Sequence, residues 1–117
     1  MPPNNLGQGY TTARTSKVFP VSVALADIEV PANANRHNIA IESVSGGVAG
    51  TATVTARPVG LTNFIPVFEL DGSTPVVMSI AEGDARADIK GSLSAIRCTI
   101  SGFDSTEYKI VVSSYID

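Results

Sequence analysis

Residues 92–115 read SLSAIRCTISGFDSTEYKIVVSSY, and this stretch decides the fold class. Its first half places Ile96, Cys98 and Ile100 at alternate positions, and its second half continues the same pattern from Tyr108 onward. A period of two is typical of a β-strand that buries one face. The Gly-Phe-Asp-Ser sequence between the halves is typical of a turn. We therefore predict two antiparallel strands joined as a closing hairpin.

The alternation continues on the N-terminal side of this predicted hairpin. Residues 51–56 read TATVTA, with threonines on one face and small apolar side chains on the other. The glycine-rich residues 46–50 precede them, which predicts a hairpin with the strand around residues 39–41. A further strand is predicted from Val18, with Val21, Val23 and Leu25 on one face. No segment shows a strong helical period of 3.6 residues, and residues 85–88 have room for one helical turn at most.

Two more predicted strands, residues 64–70 and 76–80, flank an Asp-Gly turn dipeptide. Pro66 lies in the first of them and cannot donate to a strand ladder, so we place that strand at a sheet edge. Seven or eight short strands at a spacing of roughly ten residues predict an all-β chain that folds as an antiparallel β-sandwich. We expect an Ig-like Greek key as first choice and a jelly roll as second choice.

Residues 1–17 differ in composition from the rest of the chain, because they are rich in Pro, Asn, Gly and Thr. Leu6 and Tyr10 are their only sizeable apolar side chains, too few to offset the entropy of ordering. We predict a flexible N-terminal arm at 1–17 and a single sandwich domain at 18–117. The arm either orders against a neighbouring molecule or is a frayed terminus without a role.

The surface of the predicted sandwich should carry few charges. Charged residues make up 16% of the chain and hydrophobic residues 44%, whereas charged residues average about 25% in soluble domains. Such a neutral, hydroxyl-rich sheet face either becomes buried in an assembly or belongs to an ordinary soluble domain. The candidate protein-interface residues are Leu6, Tyr10, Arg14, Thr51, Thr53 and Thr55.

Charge and hydropathy argue against two kinds of partner. The chain has eight Lys and Arg residues, none adjacent to another, and a net charge of -3. Binding to nucleic acid needs clustered cations, so we predict no nucleic-acid partner. The polar N-terminus does not resemble a signal peptide, and no apolar run approaches the roughly 18 residues of a membrane span. We expect a protein made in the cytoplasm that does not contact a membrane.

The sequence offers few groups for catalysis. His37 is the only histidine and Cys98 the only cysteine, so neither a zinc site of about four ligands nor a disulfide can form within the chain. We expect His37 to be a solvated loop residue and Cys98 to be a small buried hydrophobic residue. The chain is therefore predicted not to be an enzyme, with no catalytic residues, no cofactor and no metal site assigned.

Calcium is the one metal that the sequence leaves open. Glu82, Asp84 and Asp88 supply the oxygen ligands that calcium prefers. Their spacing does not fit an EF-hand loop, and the neighbouring Arg86 would neutralise them. Whether residues 82–88 bind calcium stays open at this point.

The chain from Gly50 onward resembles the small β-sandwich proteins of tailed-phage virions: capsid decoration or cement, head-fibre and tail accessory proteins. The resemblance is carried by TATVTARPVG, NFIPVFEL, DGSTP, VVMSI and the closing SLSAIRCTISG-FDSTE-YKIVVSSY. Those proteins also have a polar N-terminal arm, few Cys and Trp, and an Ile-Arg-x-x-Ile strand followed by Tyr-x-Val/Ile-x-Val. The acidic loop 82–88 has no counterpart among them.

The resemblance implies a virion structural protein that binds a capsid or tail lattice as a decoration, cement or accessory subunit. Its partners would be major capsid or tail proteins, it would form homo-oligomers, and it would be located in the virion. The alternative is a host-surface or polysaccharide-binding module of a fibre or adhesin, since such modules close with a similar hairpin. That alternative needs exposed aromatic side chains, whereas Phe64 and Phe68 are expected in the core.

Overall fold

The computed structural model describes residues 13–23, 25–44, 46–68, 75–80 and 84–116, and these form strands without helices. The strand bounds are β1 Ala13–Pro20, β2 Leu25–Glu29, β3 Arg36–Ser43, β4 Thr51–Pro58, β5 Ile65–Pro66, β6 Val77–Ser79, β7 Asp84–Lys90, β8 Leu93–Ser101 and β9 Glu107–Tyr115.

The strands form two antiparallel sheets that pack face to face. The first sheet has the order β1-β9-β3-β7. The second has the order β2-β8-β4-β5, and β6 also pairs with β4. The predicted all-β antiparallel sandwich is confirmed. This order is that of the jelly roll, our second choice, because the chain alternates between the two sheets except at β4, β5 and β6, which all lie in the second sheet. An Ig-like order would place the first two strands side by side in one sheet, whereas β1 and β2 lie in different sheets.

The hairpin predicted within residues 92–115 is wrong. The hairpin predicted between the strands around residues 39–41 and 51–56 is wrong for the same reason. β8 and β9 lie in different sheets, and so do β3 and β4. Their connections are arches across the sandwich rather than turns between paired strands. Alternation along a strand shows which side chains are buried, but it does not show which strand is the neighbour.

The edge of the second sheet next to β4 is shared by two short strands. β6 pairs with residues Thr51 to Thr53, and β5 pairs with Thr55 and Ala56. In the connection between these two strands, an isolated antiparallel bridge joins Phe68 to Pro75. Nine strands therefore occupy eight sheet positions. Among the described residues β5 pairs only with β4, so Pro66 lies at a sheet edge as predicted.

Three smaller predictions are corrected by the strand bounds. β1 begins at Ala13, so residues 13–17 of the predicted arm pair with β9, while residues 1–12 lie outside the described part of the chain. The strand predicted from Val18 is divided: residues 18–20 end β1, residues 21–23 form the turn region that follows it, and Leu25 begins β2. The segment around Ala85, which we considered for a helical turn, belongs to β7.

The core fills the space between the sheets with aliphatic side chains from every strand except the short β5 and the edge strand β1. At one end of the sandwich, the ring of Tyr108 is stacked against Phe19 at 5.5 Å and lies edge-on to Phe103 at 4.9 Å. Its hydroxyl donates a hydrogen bond of 2.6 Å to the carbonyl of Val23. This buried tyrosine joins β9 to the turn that follows β1.

The glycine-rich connection before β4 packs against the loop between β8 and β9. Gly50 has a φ of 145°, and a Cβ at this position would overlap the ring of Phe103. Asp104 accepts a hydrogen bond of 3.1 Å from the amide of Ala49. The glycine at position 50 is thus required by a close approach as well as by its backbone conformation.

Candidate functional site

The threonines of β4 lie on the outer face of the second sheet. Ala52, Val54 and Ala56 are buried in the core, so Thr51, Thr53 and Thr55 point outward as the period of two predicts. Thr53 is exposed, and the other two are half-buried. Whether these three residues contact a partner stays a prediction.

The neighbouring strands extend this ladder into an uncharged surface, which we call the hydroxyl face. Thr99 lies opposite Thr53, and both Ser101 and Ser79 lie opposite Thr51. The exposed side chains of Val77 and Leu25 complete two adjacent rows across the sheet. The hydroxyl face consists of Leu25, Thr51, Thr53, Val77, Ser79, Thr99 and Ser101, none of which is ionisable.

The remaining part of this outer face is covered by a charged and aromatic cluster. Arg97 donates two hydrogen bonds to the carboxylate of Asp27, at 2.7 and 3.0 Å, and its guanidinium lies 3.8 Å from the ring centroid of Phe64. The hydrogen bond from Arg97 lowers the pKa of Asp27 below its usual value. Arg97 and Asp27 therefore neutralise each other's charge.

The predicted burial of Phe64 and Phe68 in the core is wrong. Phe64 is half-buried in the cluster just described, with the Arg57 guanidinium 5.6 Å from its ring centroid. Phe68 is 45% exposed in the connection between β5 and β6. Their spacing matched a half-buried strand, but β5 contains only two residues, so no continuous strand carries them into the core.

The outer face of the first sheet has different chemistry and contains a groove with a volume of about 290 Å³. Its floor is built from small side chains on the two central strands, among them Ala40 and Val111, which lie opposite each other. Asn38 and Ser113 form the next row and also lie opposite each other. Charged side chains surround this floor, and they are Arg14, Glu42, Asp84, Arg86 and Lys109.

Side chains of both signs surround the groove. Lys109 lies opposite Glu42, which in turn lies opposite Asp84 on β7. Within the described part of the chain, no ion pair of 4.0 Å or less joins any of these side chains to another. Both cationic and anionic groups thus remain available to a ligand in the groove.

The candidate residues do not form one site. Arg14 lines the groove of the first sheet, where its Nε donates a long hydrogen bond of 3.4 Å to Ser113 Oγ. The threonine ladder lies on the opposite side of the molecule. Leu6 and Tyr10 lie outside the described residues. The groove itself was not predicted, because it depends on the pairing of β1, β9, β3 and β7, which no local pattern shows.

His37 is not the solvated loop residue that we expected. It lies in β3 with 1% of its surface exposed, and its side chain points into the sandwich. Because the carbonyl of Gly91 can only accept, Nε2 carries the proton and donates over 3.0 Å, while Nδ1 accepts from Ser114 Oγ over 2.8 Å. Burial lowers the pKa of His37 below its usual value.

Cys98 is buried in the core, as predicted. Desolvation raises the pKa of its thiol to about 12, so the thiolate needed for nucleophilic chemistry is not formed near neutral pH. Among the described residues, no cluster of three or more His, Cys, Asp or Glu side chains could hold a metal ion. Glu82 of the acidic loop lies outside that part of the chain, so the calcium question stays open. No helix long and apolar enough to cross a membrane occurs in the described residues.

Fold and surfaces together define the protein as a small jelly-roll β-sandwich with two outer faces of contrasting chemistry. No protein-family model matches the chain, and no curated protein sequence matches it. Solved structures do match. The SPBc2 prophage-derived protein YomS has a TM-score of 0.60 and 7% sequence identity, covering 96% of this chain and 99% of that one.

Two further structures share the fold. A carbohydrate-binding module from a family 9 glycoside hydrolase (Cel9A) of Ruminococcus flavefaciens FD-1 has a TM-score of 0.55 and 10% identity, covering 92% of this chain and 98% of its own. The PBSX exported protein XepA has a TM-score of 0.53 and 13% identity, with 88% of this chain and 38% of that one covered. At such identities the likeness shows the fold alone.

Proposed function

We propose that this protein is a structural subunit of a tailed-phage particle that docks on a capsid or tail lattice through its hydroxyl face. The observation that carries the proposal is that none of the seven residues of the hydroxyl face is ionisable. Interface cores are depleted in charge, because a charge that loses its water without gaining a partner is costly. The fold shared with a prophage-derived protein, YomS, and with the PBSX exported protein XepA supports a phage origin.

The strand edges favour docking through a face. Inward-pointing charges, charged side chains and prolines on edge strands oppose pairing with another chain. On β1, Lys17 lies opposite the buried Ile110, and Pro20 ends the strand. β7 carries four outward charges, β2 carries Asp27 and Glu29, and β5 contains Pro66. The sheets are therefore poorly suited to grow from their edges, whereas the hydroxyl face is open.

A small docking face suits a repeated lattice. Stable interfaces between two proteins contain about 20–30 residues on each side, so seven residues alone bind weakly. On a symmetric shell, homo-oligomers gain from many simultaneous weak contacts, because every contact after the first is intramolecular. We therefore propose a homo-oligomer in the virion whose partners are capsid or tail proteins, and we propose no enzymatic activity.

The test is a charge placed in the hydroxyl face. Thr53→Asp introduces a carboxylate at the exposed centre of the face, and Ser16→Asp introduces the same group on the outer side of β1, away from it. Purified particles of the phage that encodes the chain, stripped of this protein, are incubated with each variant, and co-sedimentation gives the apparent affinity. We expect Thr53→Asp to weaken binding at least tenfold and Ser16→Asp to bind like the wild type.

Two outcomes would contradict the proposal. Wild-type affinity of Thr53→Asp would remove the hydroxyl face from the docking mechanism. Failure of the wild-type protein to bind stripped particles at all would remove the virion role itself. Circular dichroism of both variants excludes unfolding as the cause of a loss.

A further inference from the structure

We infer that the groove on the outer face of the first sheet is a binding site for a neutral oligosaccharide. The groove lies on the side of the sandwich opposite the hydroxyl face, so this inference does not depend on the docking proposal. Its volume of about 290 Å³ is at the lower limit of small-molecule sites, which span roughly 300–1,000 Å³. It therefore fits one or two sugar rings rather than a folded partner.

The charges of the groove select a ligand that is both donor and acceptor but carries no net charge. Three basic side chains and two acidic ones line it, and both kinds remain without an ion pair in the described part of the chain. Glu42 and Asp84 would repel an anionic polymer, and Arg86 and Lys109 would repel a cationic one. A sugar hydroxyl donates to a carboxylate and accepts from a guanidinium or an ammonium group, so a polyhydroxylated ligand satisfies both kinds of group.

The floor has the mixture of apolar and polar groups that a sugar ring requires. Ala40 and Val111 lie opposite each other at its centre, and both side chains are small and half-buried. They offer an apolar surface to the C–H groups of a ring, while Asn38 and Ser113 in the next row offer amide and hydroxyl groups. Apolar contact combined with a few convergent polar groups is the usual composition of a ligand site.

Tyr115 adds an aromatic ring on the same face. It is half-buried and occupies the next outward position after Ser113 on β9, about 7 Å further along the strand. Although Tyr115 does not itself line the groove, an aromatic ring next to Ser113 on the same strand face offers a stacking surface for one ring of a longer ligand. Tyr115 thus supplies part of the aromatic surface that the carbohydrate alternative needs.

An extended peptide fits the groove less well than a sugar. Peptides bind to sheets mainly by adding a strand at an edge, where main-chain groups are free. The floor lies on β9 and β3, whose main-chain groups are paired on both sides within the first sheet. The groove is therefore lined by side chains rather than by free main-chain groups.

The experiment is a glycan array of neutral glucans, mannans, galactans and bacterial-surface oligosaccharides, probed with the purified full chain. The strongest neutral ligand is then titrated by calorimetry against the wild type and three variants. Ala40→Trp fills the floor, Glu42→Gln removes one anionic acceptor at constant shape, and Val48→Trp adds the same indole at an exposed position away from the groove. We expect a loss of at least tenfold for Ala40→Trp, a loss of threefold to tenfold for Glu42→Gln, and no change for Val48→Trp.

Several results would overturn the inference. The first is the absence of binding to any neutral glycan on the array. The second is binding to acidic glycans alone with a steep dependence on salt. The third is that both Glu42→Gln and Ala40→Trp bind the ligand with wild-type affinity. Because Glu42→Gln is nearly isosteric and exposed, its result stands even if Ala40→Trp fails to fold. No phage particle enters this assay, so its failure is distinct from failure of the docking proposal.

Discussion

Acidification should destabilise the protein through His37, and substitution with glutamine should remove that effect. The imidazole is buried and neutral, with one nitrogen donating to Gly91 and the other accepting from Ser114. Glutamine has an N–H donor and a carbonyl acceptor, so His37→Gln keeps both kinds of hydrogen bond but does not titrate. We expect the variant to lose about 1–2 kcal/mol at pH 7.5 from imperfect fit in the same cavity.

The sign and size of the pH effect follow from the lowered pKa of His37. Below the unfolded-state pKa of about 6.5, the unfolded chain binds a proton that the folded chain does not, so the free energy of unfolding falls as pH falls. The slope reaches at most about 1.4 kcal/mol per pH unit, and it ends at the lower pKa of the folded state. The stabilisation is fully present above pH 6.5 and is lost progressively below it. Asp27, whose pKa is also lowered, acts only at more acidic pH.

Urea unfolding at pH 7.5, 6.5, 5.5 and 5.0 measures this difference directly. The wild type should lose stability steadily from pH 6.5 downward, while His37→Gln should change little over the same range. The two proteins share every other titrating group, so the difference between their curves reports on His37 alone. Parallel curves for the two proteins would refute the reasoning, since the pH dependence would then come from groups other than His37.

Three further substitutions test the packing. Tyr108→Phe removes the hydrogen bond to Val23 and should cost about 1 kcal/mol, or roughly 4 °C in Tm for a chain of this size; an unchanged Tm would show that water replaces the hydroxyl. Gly50→Ala should cost more than about 2 kcal/mol in urea unfolding, because the methyl group overlaps Phe103 at a φ of 145°; full stability would mean that the ring moves aside freely. Asp27→Ala breaks an exposed ion pair and should cost less than about 1 kcal/mol, and a larger loss would indicate that the cluster on the second sheet depends on it.

The sequence predicts burial well because burial depends on alternation within one strand. The outward direction of Thr51, Thr53 and Thr55 and the burial of Cys98 follow from a period of two alone. The sequence fails where the answer depends on a distant strand. The 92–115 stretch looks like a hairpin because its two strands are consecutive, yet β8 pairs with β2 and β4 while β9 pairs with β1 and β3.

His37 shows the same limit for a single side chain. In the sequence it stands between Arg36 and Asn38, which look like loop residues. Its burial is possible only because Ser114, 77 positions away, and the carbonyl of Gly91 satisfy both ring nitrogens. A buried polar group needs partners, and partners from β9 and from the β7–β8 connection cannot be read from the residues beside it.

The two outer faces can be examined separately with cysteine labelling, because the natural thiol of Cys98 does not react with the label in the folded protein. Cys98 is buried and its pKa is raised to about 12, so a maleimide at pH 7 should leave it unmodified in the folded protein. Ala40→Cys then places a reactive thiol in the groove, and Thr53→Cys places one in the hydroxyl face. In the free protein both should react, whereas on assembled particles Thr53→Cys should be protected and Ala40→Cys should remain open. The sheets lie back to back, so a subunit docked through the second sheet must present the first sheet outward. Protection of Ala40→Cys with free reaction of Thr53→Cys would reverse that orientation, and the groove would then be the docking surface.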